Sequence, residues 1–293
     1  MKYLFIVNPV AGKGEGLNYI QEIKKLFKEE EYYIEVTKRK GHAIEIAKKY
    51  SSESDYIIYA VGGDGTVNEV VNGIVGSDSS LVIIPTGSGN DFIRTIDPNY
   101  KKKDFLHKLI GGNTTLVDII KINEKYFLNI ASVGLDADIV YNAIAFKKMK
   151  LVKGDMAYIF SVAKTIFGKK GIPLKVKLDG KEIWDGKVLL LAIANGKCYG
   201  GGIKITPNAE IDDGLADVCL VENSNLLKIF RLLPKLATAK HTESKEVIIY
   251  RAKQIEIEGE NIFRVNIDGE IVESDRLIMQ VIPKAIKLVI PEN

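Results

Sequence analysis

The sequence has few of the residues that build metal centres or nucleophilic triads. Only two cysteines and three histidines occur among 293 residues. Cys198 and Cys219 fit no CxxC pair, and no HExxH or nucleophile-elbow motif lies near His42, His107 or His241. The sequence therefore argues against a zinc hydrolase or a serine hydrolase, and its cysteine usage agrees with a reducing compartment.

Long apolar runs and a one-sided charge are also missing. The longest apolar run, Val188 to Ala194, is far shorter than the roughly 20 residues that span a bilayer. The apolar residues at the N-terminus, Tyr3–Val7, are too few for a signal-peptide core. The net charge is +3, from 41 basic and 38 acidic side chains. The chain as a whole therefore lacks the large excess of positive charge that is typical of proteins that bind a polyanion. We therefore expect a cytoplasmic protein that does not bind nucleic acid.

The composition predicts a substantial core and two kinds of architecture. Apolar residues make up 46% and charged residues 27% of the chain, whose length allows one large domain or two ordinary ones. Four strand-like segments alternate with helical patterns in the first 120 residues: Tyr3–Val7, Tyr33–Val36, Tyr56–Val61 and Leu81–Ile84. After about Ile120, short alternating runs are separated by Gly and Asp. The predicted fold class is α/β, with a parallel sheet followed by a second, β-rich antiparallel domain.

Three glycine-rich loops follow predicted strands of the first half. They are Asn8–Gly14, Gly62–Thr66 and Pro85–Asp91. Ligands bind at the carboxyl ends of parallel strands, and glycines there let backbone N–H groups approach phosphate oxygens closely. Neither GxxxxGK[ST] nor GxGxxG occurs, which disfavours a P-loop NTPase and a Rossmann dehydrogenase. An acidic residue inside such a loop, Asp64, suits a divalent cation between carboxylate and phosphate.

Together these motifs resemble the diacylglycerol kinase catalytic family and its bacterial lipid kinases. The matching segments are Asn8–Gly12, Gly62–Thr66 with Asn68–Gly73, Gly87–Phe92, Asp212–Gly214 and Asn266–Glu270. The Gly-Gly-Asp-Gly-Thr motif alone is shared with NAD kinases and phosphofructokinases, whereas the whole set is typical of the lipid kinases. The resemblance implies an NAD kinase-like or phosphofructokinase-like ATP-binding domain at 1–121 and a lipid-substrate domain at 122–283. It also implies that the tail at 284–293 returns to the first domain.

The resemblance implies ATP and Mg²⁺ in the cleft between the domains. It places fourteen residues around the nucleotide: Asn8, Pro9, Val10, Ala11, Gly12, Thr37, Gly62, Gly63, Asp64, Gly65, Thr66, Val67, Asn68 and Ser88. Lys13 would neutralise phosphate charge, and Glu270 would be the general base. A magnesium-and-water network would use three carboxylates: Asp64, Asp91 and Asp118. A further Mg²⁺ would bind the Asp213 side chain and the backbone oxygens of Glu210 and Leu215.

Each acidic residue also has an ordinary structural interpretation. Asp91 suits the N-cap of the next helix, and Asp118 suits a turn at a strand end. Asp213 suits a type I turn, and Asp268-Gly269 is a strong signal for a hairpin whose tip would carry Glu270 into the cleft. The sequence departs from the family at two positions, where Ser88 replaces the usual Thr and His42 stands where relatives often have Asp. The hydroxyl is kept at the first position, but the polar contact at the second is left open.

A lysine-rich stretch at 147–177 lies between the two patterns. Its lysines surround an apolar helical pattern at 156–167 and are accompanied by the single acid Asp155. A basic amphipathic helix of this kind can lie in an anionic membrane surface, but it can equally pack on a sheet with its lysines in solvent. The sequence leaves these alternatives open.

The predicted function is an ATP- and Mg²⁺-dependent lipid kinase that associates peripherally with the inner face of the membrane. Diacylglycerol is the first expected acceptor, giving phosphatidic acid. The alternatives are phosphatidylglycerol, a polyprenol or a sphingoid base, a kinase for NAD⁺, and a non-catalytic nucleotide or lipid sensor. The sequence leaves the oligomeric state open, with a homodimer as one alternative.

Overall fold

The first half of the chain alternates strands and helices. The computed structural model describes residues 2–100, 105–147 and 171–291. The elements of this half are β1 (Lys2–Val7), α1 (Glu15–Leu26), β2 (Glu31–Val36), α2 (His42–Glu53), β3 (Tyr56–Gly62), α3 (Asp64–Ile74), β4 (Ser80–Pro85), α4 (Asp91–Ile96) and α5 (Phe105–Leu109). Strands β2, β1, β3 and β4 pair in this order, and all three pairings are parallel. Because parallel strands end at the same edge of a sheet, the three glycine-rich loops emerge together.

The second half is dominated by antiparallel strands. Its elements are β5 (Asn113–Ile122), β6 (Lys125–Phe127), β7 (Ile130–Gly134), α6 (Leu135–Lys147), β8 (Ile172–Leu178), β9 (Lys181–Ala194), β10 (Cys198–Tyr199), β11 (Ile203–Lys204), β12 (Ala216–Glu222), α7 (Leu226–Ala237), β13 (Val247–Ala252), β14 (Gln254–Ile267) and β15 (Glu270–Ile290). Strands β13, β12, β9, β7, β14 and β15 follow one another in the sheet. The predicted α/β class with a second, β-rich antiparallel part is therefore confirmed.

Strand β15 links the two halves. Its first residues pair antiparallel with β14, and its later residues pair antiparallel with β5. The register against β5 shifts between Ile282 and Ile286, where Lys284 adopts a φ of 51°. Beyond this irregularity, Lys287 and Leu288 pair in parallel with Ser80 and Leu81 of β4. One continuous set of hydrogen-bonded strands thus runs through both halves of the chain.

Two helices of the second half were not predicted from the sequence. Helix α6 follows β7, and helix α7 lies between β12 and β13. The Asn225 side chain starts α7 by accepting a hydrogen bond from the backbone N–H of Lys228 at 3.1 Å. The apolar runs at Ile255–Ile257 and Phe263–Ile267 belong to the single strand β14, because its register shifts between Glu258 and Phe263 and the pairing then resumes.

Most of the lysine-rich stretch, at 148–170 and including the apolar pattern at 156–167, lies outside the described residues. Lys175 and Lys177 are residues of strand β8. Lys175 is paired with two acidic side chains, Glu182 at 3.7 Å and Asp185 at 3.4 Å. Within the described ranges, no helix combines the length and the apolar character that a membrane crossing requires.

Candidate active site

The three glycine-rich loops contact one another through their backbones. A Cβ atom on Gly87 would lie 2.6 Å from the Cα of Gly63, and one on Gly12 would collide with the carbonyl oxygen of Thr86. Gly12 also has a φ of 57°, in the left-handed region that side chains disfavour. Larger residues at these positions would push the loops apart, so the glycines set the shape of this sheet edge.

A cleft of about 810 Å³ opens above these loops, within the size range of ligand-binding sites. Eleven of the predicted nucleotide residues line it: Asn8, Pro9, Val10, Ala11, Gly12, Thr37, Gly63, Asp64, Gly65, Thr66 and Ser88. The turn between β14 and β15 closes its other side with Asp268, Gly269, Glu270 and Ile271. Both halves of the chain therefore contribute walls to one cleft.

The other predicted residues of this group lie beside the cleft. Val67 is buried in the N-terminal core, Gly62 pairs with Pro85 inside the sheet, and Asn68 reaches towards the second half. Lys13 is exposed on the first loop with a φ of 60°, an unusual conformation for a residue with a side chain. The predicted roles of these residues in nucleotide binding stay predictions.

Asn8 connects the first two loops. Its side-chain amide donates to the Thr66 hydroxyl at 2.9 Å, and its oxygen accepts from the backbone N–H of Val10 at 3.1 Å. Both polar ends of Asn8 are thus used by the protein itself. We infer from these contacts that Asn8 positions the loops.

Asp64 lines the cleft and lies close enough to Asp91 and Asp268 for their charges to act on it. Asp64 accepts a hydrogen bond from the backbone N–H of Asp91 at 2.8 Å. Burial, and after it the negative charges of Asp91 and Asp268, raise the pKa of the Asp64 carboxyl to about 6. A hard divalent cation prefers oxygen ligands of this kind and would relieve the repulsion. Asp64 and Asp91 therefore have the oxygen chemistry that the predicted Mg²⁺ requires, while the described residues contain no cluster of three or more candidate metal-ligating side chains.

Asp91 is held by a glycine-rich turn of the second half. Its carboxylate accepts from the backbone N–H groups of Gly201 at 2.9 Å and Gly202 at 2.7 Å. The capping alternative for Asp91 is wrong, because Asn90 is the N-cap residue of α4 and makes no side-chain capping bond. Asp91 instead links the third loop to the β-rich half.

Asp118 lies inside β5, so its interpretation as a turn residue at a strand end is wrong. It is fully buried on β5, and its two oxygens accept from the backbone N–H groups of Gly214 at 2.6 Å and Lys284 at 2.7 Å. These bonds fix the turn at Asp212–Gly214 against the irregular part of β15. Asp118 is therefore a structural acceptor, and its part in a water network with Asp64 and Asp91 stays a prediction.

The predicted second metal site contains a positive charge supplied by the protein. One oxygen of Asp213 accepts from the backbone N–H of Leu215 at 3.0 Å, and the other contacts the guanidinium of Arg251. Arg251 also lies 3.7 Å from Asp217, whose pKa is raised to about 6 by burial and then by the charge of Glu210. A cation here would have to share Asp213 with Arg251 or displace it.

The turn before β15 presents Glu270 to the cleft. Asp268 and Gly269 have φ angles of 46° and 91° between antiparallel partners Ile267 and Glu270, the conformation of a two-residue hairpin turn. The hairpin predicted from Asp-Gly is thus confirmed. The Glu270 side chain is about one-third exposed and forms an ion pair with Lys40 at 2.7 Å.

Asp268 serves as an acceptor for backbone and side-chain donors. Its Oδ1 accepts from the Ile130 N–H at 2.9 Å, and its Oδ2 accepts from the Asn68 amide at 2.9 Å and the Leu128 N–H at 3.2 Å. Burial raises its pKa, while these hydrogen bonds lower it. Asp268 therefore holds the turn against β7 and α3.

The loop after β2 contains cleft residues that sequence reasoning missed. Lys38, Arg39 and Lys40 all line the cleft, and the signal was their run of three basic residues directly after Thr37. Glu69 fixes this loop by accepting from the backbone N–H groups of Gly41 at 2.8 Å and Ala43 at 3.2 Å.

His42 takes part in the same turn. Its Nδ1 accepts from the backbone N–H of Lys38 at 3.2 Å. The imidazole can thus supply the acceptor that an Asp would supply at this position, since a carboxylate oxygen and a neutral ring nitrogen both accept N–H groups.

Comparison with known proteins identifies the family. The sequence model described as "Diacylglycerol kinase catalytic domain" matches residues 2–122. The one described as "YegS C-terminal NAD kinase beta sandwich-like domain" matches residues 129–290. Diacylglycerol kinases of Staphylococcus aureus are 31% identical (strain bovine RF122 / ET3-1) and 32% identical (strain JH9) over 271 residues. Each match covers 90% of this chain and 84% of the relative.

Solved structures agree with this family. A putative diacylglycerol kinase from Bacillus anthracis str. Sterne superposes with a TM-score of 0.80 at 28% identity, covering 99% of this chain and 95% of its own. An NAD kinase from Archaeoglobus fulgidus in complex with ATP has a TM-score of 0.54 at 14% identity, covering 100% of this chain and 94% of its own, and shares the fold alone. Membership of a kinase family implies the use of ATP. The chain belongs to the diacylglycerol kinase family and is a lipid kinase, a phosphotransferase with an alcohol group as acceptor.

Proposed function

We propose that this protein transfers the γ-phosphoryl group of ATP to the free hydroxyl of diacylglycerol and releases phosphatidic acid and ADP. The observation that carries the proposal is the cleft itself, where the glycine-rich loops and Asp64 face Glu270 across one space. The relatives named diacylglycerol kinase support the choice of acceptor. We further propose that the reaction takes place at the inner face of the membrane, from the cytoplasm.

The nucleotide phosphates would lie on the glycine-rich loops. Backbone N–H groups at the start of α3 favour negative charge there. Positive charge would come from Lys38 on the neighbouring loop and from Lys13 beside the same edge, while Arg39 and Lys40 are paired with Glu45 and Glu270. Positioning and charge neutralisation are the main contributions that a protein makes to phosphoryl transfer.

Asp64 and Asp91 would hold Mg²⁺ next to these phosphates. The ion would supply positive charge that stabilises the transferring phosphoryl group. The protein prepares this place by aligning both carboxylates, Asp64 through the backbone N–H of Asp91 and Asp91 through Gly201 and Gly202. The second Mg²⁺, at Asp213, stays a separate proposal, because Arg251 already contacts that carboxylate.

Glu270 would accept the proton of the lipid hydroxyl. The hydroxyl oxygen attacks the γ-phosphorus, the bond from that phosphorus to the leaving ADP oxygen breaks, and the proton passes to the Glu270 carboxylate. The hairpin fixes where this carboxylate lies, and Lys40 orients it from the opposite wall at 2.7 Å. A non-catalytic sensor would not need a carboxylate at this place beside intact phosphate loops.

A radiolabelled-ATP assay against a panel of acceptors tests the proposal. Diacylglycerol, phosphatidylglycerol, a polyprenol and a sphingoid base are presented in detergent micelles, and NAD⁺ is presented in solution. We expect labelled phosphatidic acid as the main product, and at least about a hundredfold less of it with Glu270→Gln. Labelling of NAD⁺ or of another lipid in preference to diacylglycerol would overturn the assigned acceptor, and no labelling at all would favour a sensor.

A further inference from the structure

The buried carboxylate of Asp136 is hydrogen-bonded to the hairpin that presents Glu270. Asp136 lies in the first turn of α6, and its carboxylate accepts from the Ser132 hydroxyl and from the Asn266 side chain. Neither Asp136 nor Asn266 is among the described residues that line the cleft. A direct contact with nucleotide or acceptor in this cleft therefore does not explain these buried polar groups.

The contact lies where the sheet is otherwise apolar. Ser132 and Asn266 are directly opposite one another on β7 and β14, and both are buried. The pairs on either side of them in the same register are apolar: Val265 with Val133, and Ile267 with Ala131. Burial of a carboxylate and an amide costs free energy, and an apolar set of similar volume is commonly at least as stable. Folding stability therefore does not explain why this position of the sheet is polar.

Asn266 links this carboxylate to the turn before β15. Its side-chain oxygen accepts the backbone N–H of Gly269 at 3.0 Å, while its NH₂ group donates to Asp136. An amide has one accepting end and one donating end, so Asp136 determines which end faces the turn. Gly269 has a φ of 91° and directly precedes Glu270, which lines the cleft. The hydrogen bond to Gly269 therefore fixes the backbone from which the Glu270 side chain projects.

The orientation of Asn266 does not depend on the charge of Asp136. Burial raises the pKa of the Asp136 carboxyl, while the hydrogen bonds from Ser132 and Asn266 lower it. A carboxyl group in either protonation state keeps an oxygen that accepts an N–H donor. The contact with Asn266 is therefore retained in both protonation states.

We propose that Asp136 is a positioning residue for Glu270. It holds the Asn266 amide in the orientation in which the amide oxygen accepts the Gly269 N–H, and the turn then keeps Glu270 where the acceptor hydroxyl loses its proton. A base contributes to the rate through its geometry, so its displacement lowers turnover rather than nucleotide affinity. This inference rests on the proposed function, because Asp136 acts through the proposed base. It adds which buried group sets the position of that base.

An exchange of the two side chains tests this arrangement. Asn266→Asp alone places two carboxyl groups against each other, and we expect kcat to fall at least about tenfold while KM for ATP stays within about threefold. In the double variant Asp136→Asn/Asn266→Asp, the new amide donates to the new carboxylate, which still accepts from Gly269. We expect this variant to recover a kcat within about threefold of the wild type. Asp136→Asn alone keeps an oxygen for Asn266 and should lose less activity than Asn266→Asp.

The matched control is Asn261→Asp, which adds the same charge at an exposed position of β14 and should leave kcat unchanged. Urea denaturation identifies conditions in which each variant is fully folded, and kinetics are measured there. Asp136→Ala removes the acceptor without adding a charge, so it tests the proposal even where Asn266→Asp does not fold, and its kcat should fall at least about fivefold. Wild-type kcat in folded Asn266→Asp or Asp136→Ala, or a folded double variant no faster than Asn266→Asp, would overturn the proposal.

The Glu270→Gln background separates this inference from the assignment of the base. There Asn266→Asp should lower kcat by no more than about twofold further, because the side chain that it displaces no longer takes the proton. A full tenfold loss in this background would show that Asp136 and Asn266 act elsewhere and would overturn the inference alone. Wild-type kcat in Glu270→Gln would instead overturn the proposed base, and the role of Asp136 with it. Labelling of NAD⁺ in place of diacylglycerol would overturn only the acceptor.

Discussion

The side-chain amide of Asn68 donates a hydrogen bond to the carboxylate of Asp268 at 2.9 Å, across 200 residues of sequence. Asn68 lies one turn into the helix that begins at Asp64, and Asp268 lies two residues before Glu270. The same carboxylate also accepts from the backbone N–H of Ile130. The proposed phosphate-binding edge and the proposed base therefore share one hydrogen-bonded frame.

Replacing Asp268 with Asn should loosen this frame. The Asn side chain has only one acceptor oxygen, so at least one N–H donor that now bonds to Asp268 would face an NH₂ group instead. We expect this loss to lower the free energy of unfolding by about 1–3 kcal/mol. We expect kcat to fall about tenfold or more, because Glu270 moves relative to the phosphates. Urea denaturation and steady-state kinetics measure the two effects.

The matched control for this change is Asp275→Asn. Asp275 is an exposed carboxylate on β15, which begins two residues after Asp268, and its amide variant should unfold and turn over as the wild type does. If Asp268→Asn kept both wild-type stability and wild-type kcat, the hydrogen bonds of Asp268 would not set the geometry of the cleft.

Removal of the Asp64 carboxylate should abolish turnover and leave the fold intact. The charges of Asp91 and Asp268 act against Asp64 in the folded protein, so Asp64→Ala removes a repulsion while it loses the hydrogen bonds from the backbone N–H groups of Asp91 and Phe92. We expect the free energy of unfolding to change by less than about 1 kcal/mol. Activity should fall at least about a hundredfold, since loss of a carboxylate that organises Mg²⁺ commonly costs a few kcal/mol of transition-state stabilisation.

The control for Asp64 is Asp55→Ala. Asp55 is exposed and precedes β3, at the opposite end of the strand from the glycine-rich loop. It should change neither stability nor activity. An Asp64→Ala enzyme with more than about a tenth of the wild-type rate at saturating Mg²⁺ would show that Asp64 does not organise the metal.

Much of the site could be predicted because its signals are local. The glycine-rich loops, the acidic residue within one of them and the Asp-Gly hairpin each lie within a few residues of sequence, and the strand period places them at one sheet edge. The contacts of Asp118 with Gly214 and Lys284 could not be predicted, because they join residues 96 and 166 positions apart. A pattern within a few residues of sequence does not predict contacts between residues so far apart in the chain.

Helix α7 was missed for a different reason. Pro234 lies inside it and normally indicates the end of a helix, while the surrounding strands suggested a β-rich region. Packing of Ile229, Leu232 and Leu236 against the cluster formed with β9 and β12 stabilises the helix despite this proline.

Acidification should destabilise the folded protein through His241. Its ring is buried, with Nε2 2.9 Å from the carbonyl oxygen of Ile205, and burial lowers its pKa below the usual 6.5. Between the folded pKa and pH 6.5, His241 is therefore protonated in the unfolded chain and neutral in the folded one. Stability conferred by the neutral ring is present above pH 6.5 and is lost as the pH falls through the folded pKa.

The variant His241→Gln removes this titration. Its free energy of unfolding, followed by urea denaturation between pH 7.5 and pH 5, should fall less steeply than that of the wild type. His107→Gln is the control, because His107 is about half exposed beside Glu22. Parallel curves for wild type and His241→Gln would exclude His241 as a source of the pH dependence.

Glu270→Gln tests proton abstraction directly. Glutamine keeps the size and hydrogen-bonding capacity of the side chain but cannot take the hydroxyl proton, and a positioned carboxylate contributes typically about 10²–10⁴-fold. We expect kcat to fall about a hundredfold or more, while ATP affinity measured by calorimetry stays within about threefold. Glu273→Gln is the matched control, since Glu273 lies three residues further on β15, is more exposed, and approaches Arg264 at 3.5 Å. Near-normal kcat in Glu270→Gln would rule out this carboxylate as the base. The ion pair with Lys40 would then be its main role.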